Sequence, residues 1–167
     1  MAIKERELKD IHGVHGGNAR KIPTVRKESV SELKDVPELI QRVVVTSKDG
    51  RERHFFRHTN PNGATGGFVE STSSAGPEVF IDKKSTVEGE ATITGDVRLL
   101  NGARVYGDAV VMAKEGSKIT INNSEVFDEA TISASQKKHI LIKDSMVSGD
   151  YVYSNVSMDG ETKNDRR

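Results

Sequence analysis

The chain is predicted to be all-β, a short single-stranded parallel β-helix preceded by a β-hairpin and a mostly irregular N-terminal arm. Three observations predict it. Branched aliphatics recur every sixth residue from Val79 onward, glycine recurs at a fixed place in the same period, and the first 42 residues share neither feature. A period of six would smear apolar residues around an α-helix, whereas an even period keeps them on one side of a strand.

Written in sixes from Val79 the chain reads VFIDKK, STVEGE, ATITGD, VRLLNG, ARVYGD, AVVMAK. The third slot holds Ile81, Val87, Ile93, Leu99, Val105 and Val111, and the first holds the smaller Val79, Ser85, Ala91, Val97, Ala103 and Ala109. Both slots are predicted to face inward. Gly89, Gly95 and Gly107 then fall where a flat side must bend into a corner. The register lapses over EGSKITINN, returns in SEVFDE and ATISAS, breaks at Gln136-Lys137-Lys138 and resumes in HILIKD, SMVSGD and YVYSNV. That phasing puts Val126, Ile132, Leu141, Val147 and Tyr153 in the inward slot. Three sides of six make a coil of about eighteen residues, so the hexads supply about four coils, stacked about 4.8 Å apart.

So short a prism buries little and exposes strand edges at its ends, which predicts side-by-side packing, as a homotrimer. Leu100, Tyr106, Met112, Phe127, Met146 and Val152 are apolar at outward parity and are the expected oligomer interface.

Four segments follow in order. Residues 1–42 form the arm, with short helices over SELKDVPELIQR, where Ser29 and Glu32 fit a capping box. Residues 43–78 hold a hairpin around Lys48-Asp49-Gly50 and a turn-rich junction that caps one end. Residues 79–158 are the β-helix, and 159–167 a flexible tail.

Lys plus Arg and Asp plus Glu number 25 each, so no global field draws the chain to nucleic acid, anionic lipid or acidic substrates. The balance hides an uneven distribution: residues 1–58 carry 13 basic and 9 acidic side chains, residues 59–167 carry 12 and 16. The hydrophobic share, 34%, is low, which suits a small or elongated core. Absence of cysteine excludes disulfides, thiolate metal sites and cysteine nucleophiles. No apolar run reaches membrane-spanning length, and a cytoplasmic or virion location is expected.

The run STVEGEATITGDVRLLNGARVYGDAVV resembles the hexapeptide-type β-helix repeats of bacterial and prophage proteins, most closely the YdcK-type acetyltransferase-like family. GATGGFVES is similar to the Gly-Gly-aromatic-Val segment that precedes those repeats, so the likeness spans about residues 63–156. The resemblance implies architecture first. It also implies one alternative activity, acetyl transfer from acetyl-coenzyme A with a histidine as general base, for which His139 is the one histidine within the repeats. A solvated loop histidine beside Lys137 and Lys138 is the simpler reading.

Other clusters read as structural. His12 and His15 stand in a glycine-rich arm without companion ligands, and Asp96, Asp108 and Asp150 follow corner glycines as turn residues, so no metal or other cofactor is expected. Arg51, Arg53, His54, Phe55, Phe56, Arg57 and His58 form a basic and aromatic knot able to grip single-stranded nucleic acid. Strand alternation, however, sends Phe55 and Phe56 to opposite faces, so nucleic acid is the lesser alternative. The favoured expectation is a structural or protein-binding module, a capsid-decorating or tail-associated phage protein. Its arm, through Arg20, Lys21, Arg26 and Lys27, fastens it to a larger protein assembly.

Overall fold

The computed structural model describes residues 24–165. Within them the chain winds as a parallel β-solenoid of three faces. β1 (Thr24–Lys27), β2 (Arg42–Thr46), β3 (Glu52–Thr59) and β4 (Thr65–Glu70) extend the first face at its N-terminal end into a sheet of nine strands. The second face comprises Ser74–Ala75, Thr92–Thr94, Val110–Ala113, Thr131–Ala134 and Val152–Ser154. The third comprises Phe80–Ile81, Val97–Leu100, Lys118–Asn122, His139–Lys143 and Met158–Asp159.

Register explains the hexad pattern. Val69, Val87, Val105, Val126 and Val147 pair in succession down the first face, and Ala75, Ile93, Val111, Ile132 and Tyr153 down the second. Leu99 and Ile121 continue the inward stack on the third. These side chains form one continuous apolar core in which nearly every member is fully buried. Each inward residue therefore packs on its counterpart one coil away, with backbone hydrogen bonds running along the axis.

Two faces carry five strands each, more than the about four coils counted from hexads. EGSKITINN accounts for much of the difference. Lys118–Asn122 is a full strand with Ile119 and Ile121 buried. The coil from Arg104 to Glu125 is 21 residues long where that from Thr86 to Arg104 is 18, and the extra length is what breaks the period. Parity in HILIKD also differs from expectation: Leu141 is exposed, while Ile140 and Ile142 are buried. Three consecutive branched residues leave a strand's inward side undecided until its neighbour Lys118–Asn122 sets the register, Ile119 to Ile140 and Ile121 to Ile142.

Corners are set by left-handed backbone. At Gly95 φ is +83°, and an added Cβ would lie 1.9 Å from the Ala113 carbonyl oxygen on the next coil, so only glycine fits. The corner after the third face uses Asn101, Asn123 and Asp144 instead, with φ of 55°, 46° and 47°. Asn101 Nδ2 donates to Asn122 Oδ1 at 2.9 Å, and Asn123 Nδ2 to Asp144 Oδ1 at 2.7 Å, tying successive corners together.

The N-terminal end departs most from expectation. Residues 24–42 are not an arm with short helices alone: β1 pairs parallel with β2, and a 3-10 helix covers Val30–Asp35. Val25, Leu33, Val36 and Ile40 join Val43, Val45, Phe55 and Phe68 in a second core on the outside of the first face. The segment's own apolar residues are few, and the surface that receives them comes from β2 to β4. Arg57 pins the layer. Its guanidinium donates to the carbonyls of Ile40 (3.0 Å), Val36 (2.8 Å), Pro37 (3.1 Å) and Gly66 (3.2 Å) and lies 3.9 Å over the Phe68 ring. Burial among these neutral acceptors lowers the Arg57 pKa.

The first edge of the third face is closed by a side chain. Asn60 Oδ1 accepts from Ile81 N at 2.8 Å and its Nδ2 donates to Ile81 O at 3.0 Å, filling the place of a neighbouring strand. His58 Nε2 adds a contact to Val79 O at 2.6 Å. Far from being a free tail, Thr162–Asp165 pairs with Met146–Gly149 on the first face.

Candidate functional site

Outward positions of the first face carry the densest polar arrangement. Thr86, Arg104, Glu125 and Met146 are successive register partners, and Glu70, Glu88, Tyr106 and Phe127 stand beside them. Arg53 donates a fork to Glu70, Nε to Oε1 at 2.8 Å and Nη2 to Oε2 at 2.6 Å, while Glu70 Oε2 also accepts from Gly89 N at 2.5 Å. Glu88 receives Arg104 Nε at 3.0 Å and Nη2 at 3.2 Å, with the Thr86 hydroxyl at 2.9 Å and Arg53 Nη2 at 3.5 Å. Arg104 reaches on to Glu125 at 3.6 Å, and Tyr106 donates to Glu125 Oε2 at 2.9 Å.

These contacts form a ladder, alternating in charge from Arg53 to Glu125 along the solenoid. Burial opposes ionisation of Glu70, but the Arg53 fork and the Gly89 N–H prevail and hold its carboxyl below the ordinary value. The Glu70 hydrogen bond raises Arg53; burial pulls Arg104 down, and Glu88, followed by Glu125 and Tyr106, more than restores it. Burial, followed by the bond to Glu125, pushes the Tyr106 phenol up to about 12. Such a set, satisfied internally, holds coils together and has little left to offer a substrate.

A groove of about 1030 Å³ lies along the third face and gathers Phe80, Asp96, Arg98, Lys114, Lys118 and His139 among its walls. Lys118 pairs with His139 in strand register and stands 3.6 Å from Asp96, and the Arg98 guanidinium lies 5.5 Å over the Phe80 ring. His139 is exposed and has no side-chain hydrogen bond or ion pair among the described residues. A general base is ordinarily oriented by a second group, and here none does so.

The basic and aromatic knot is taken up by the fold. Phe55 is fully buried, Arg53 and Arg57 are engaged as described, and Arg51 pairs with Asp49 at 3.0 Å. Arg42 Nη2 lies 3.1 Å from His54 Nδ1, leaving Phe56 as the exposed ring. Of the expected partner contacts, Arg26 pairs with Glu52 at 2.9 Å and Lys27 ends β1, while Arg20 and Lys21 lie outside the described residues, as do His12 and His15.

The six expected interface residues do not form one patch. Tyr106, Phe127 and Met146 share the first face, Met112 and Val152 lie on the second and Leu100 on the third. Tyr106 and Phe127 pack on each other, with ring centroids 5.0 Å apart. Sequence reasoning missed the ladder altogether; an alignment of outward residues at spacings of 18 and 21 would have set Glu88, Tyr106 and Phe127 in one column.

Among the described residues no three His, Asp or Glu side chains converge to hold a metal, and no helix is long and apolar enough to cross a membrane. The fold and its polar ladder define a parallel β-solenoid. No family model matches the chain, and neither a curated protein nor a solved structure matches it.

Proposed function

We propose that the chain is a non-enzymatic assembly module, a homotrimeric rigid column whose N-terminal residues fasten it to a larger protein assembly such as a phage virion. The observation that carries this reading is the ladder from Arg53 to Glu125, whose charged groups neutralise one another and stiffen the face. Hexapeptide-type repeats suit such a column, and the packed second core gives the N-terminal attachment a firm root at Val25.

A second reading, acetyl transfer, is favoured by one observation, the position of His139 in the groove beside Lys118 and Arg98. Light scattering of the dilute whole chain, with and without acetyl-coenzyme A, tests both. A trimer indifferent to the cofactor is expected. A cofactor-dependent rise in melting temperature, together with acetyl transfer to an amine that His139→Ala abolishes, would establish transfer instead.

A further inference from the structure

Of the seven large apolar side chains exposed on the described residues, five fall between 141 and 156: Leu141, Met146, Tyr151, Val152 and Val156. They do not share a face. Leu141 is on the third, Met146 on the first and Val152 on the second, with Tyr151 and Val156 beside the corners, so they make an apolar collar around the rod. A collar is covered by something that wraps, which an extended peptide does better than a flat surface.

Charge narrows the occupant. Residues 141–167 hold Lys143, Lys163, Arg166 and Arg167 against Asp144, Asp150, Asp159, Glu161 and Asp165, a net of 4 − 5 = −1. Residues 1–23 hold Lys4, Arg6, Lys9, Arg20 and Lys21 against Glu5, Glu7 and Asp10, a net of 5 − 3 = +2. The same segment spaces Ile3, Leu8, Ile11, Val14 and Ile22 along its length, apolar residues to meet the collar. We infer that residues 1–23 of one copy seat on the 141–156 collar of a second copy, joining copies end to end.

Geometry favours a second copy over the chain's own collar. The segment joins the fold at Thr24, on the outer strand of the nine-stranded sheet, and the Met146 strand is seven strand spacings away, about 34 Å. Reaching its own collar would use about ten extended residues before the first contact. A copy stacked end on end brings collar and root together, leaving the whole segment for binding. The inference rests on the reading that these residues fasten the protein to an assembly, and makes the assembly one of this chain.

The test uses whole chains. Sedimentation across a concentration series is expected to show the unaltered protein growing in mass, with association weakened about tenfold or more by Leu8→Asp and likewise by Val152→Asp. Both substituted side chains lie outside the described cores, and circular dichroism verifies the fold. Mixing the two variants is the decisive arm: each supplies the half that the other lacks, so association returns as far as one joint between two unlike copies and grows no further. If Leu8→Asp weakens association while Val152→Asp and Met146→Asp do not, the collar is overturned and attachment through the N-terminal residues stands. If the unaltered chain does not grow with concentration, or the mixture fails to recover, end-to-end joining is overturned. Loss of the dilute oligomer itself speaks against the assembly reading.

Discussion

Tyr106 lies flat on Phe127, one coil away, with ring planes 4° apart and centroids separated by 5.0 Å, and the same Tyr106 donates its hydroxyl to Glu125 at 2.9 Å. Both rings were expected to face a neighbouring copy. Within the chain they pack on each other, so Phe127→Ser should cost about 1–2 kcal/mol of chain stability through lost stacking and burial. Urea unfolding of the dilute protein reads this directly.

The phenol should titrate late. With its pKa raised from 10.0 to about 12, Tyr106 contributes stability that is fully present below pH 10 and disappears as pH rises toward 12, because the unfolded chain ionises first. Tyrosinate absorbance is expected to show a late-titrating phenol, and Tyr106→Phe should remove that late step.

The opposite end of the pH scale tests Glu70. Its folded pKa lies below the ordinary 4.5, so its contribution is present above that value and fades as acid takes the pH through the folded value. Glu70→Gln should flatten the acid limb of a melting-temperature profile as pH falls below 4.5.

Glu88→Ala should be the most damaging single change in the ladder. It removes the shared partner of Arg104 and Arg53 from a buried position and leaves two guanidinium groups without it, a loss of about 2–3 kcal/mol. Unfolding that matches the unaltered protein would mean that Glu125 and Glu70 compensate fully.

Two glycines with nearly the same backbone should respond very differently to alanine. Gly95 and Gly102 have φ of +83° and +79°, but an added Cβ at Gly102 meets nothing within 4 Å, whereas at Gly95 it collides with Ala113. Gly102→Ala should cost about 1 kcal/mol and Gly95→Ala several, measured as the difference in unfolding free energy.

Much of the solenoid was legible because inward stacking imposes the same demand on every coil: Ile93, Val111 and Ile132 are adjacent in space and alike in chemistry. The demand fixes what faces inward and says little about corner length, so coils of 18 and 21 residues read as lapses in a period of six. Leu141 was misassigned because the hexad restarted at His139 after the break at Gln136-Lys137-Lys138, one residue out of phase with the inward pair Ile140 and Ile142. The Arg53 to Glu125 ladder was hidden because its members are distant in sequence and alike only in outward parity. The layer of residues 24–42 was hidden because its few apolar side chains suffice once Phe55 and Phe68 provide the other half.

The parallel pairing of β1 with β2, register by register from Thr24 to Lys27, has a mechanical consequence. Tension on the segment ahead of Thr24, directed along that strand, loads its hydrogen bonds together in shear. Force drawn along the solenoid axis would open the same bonds one after another. A column tethered through this strand is therefore a directional anchor, strong along one line of pull and weak along another, and the Arg57 pin holds the segment that links β1 to β2 through Ile40 and Val36.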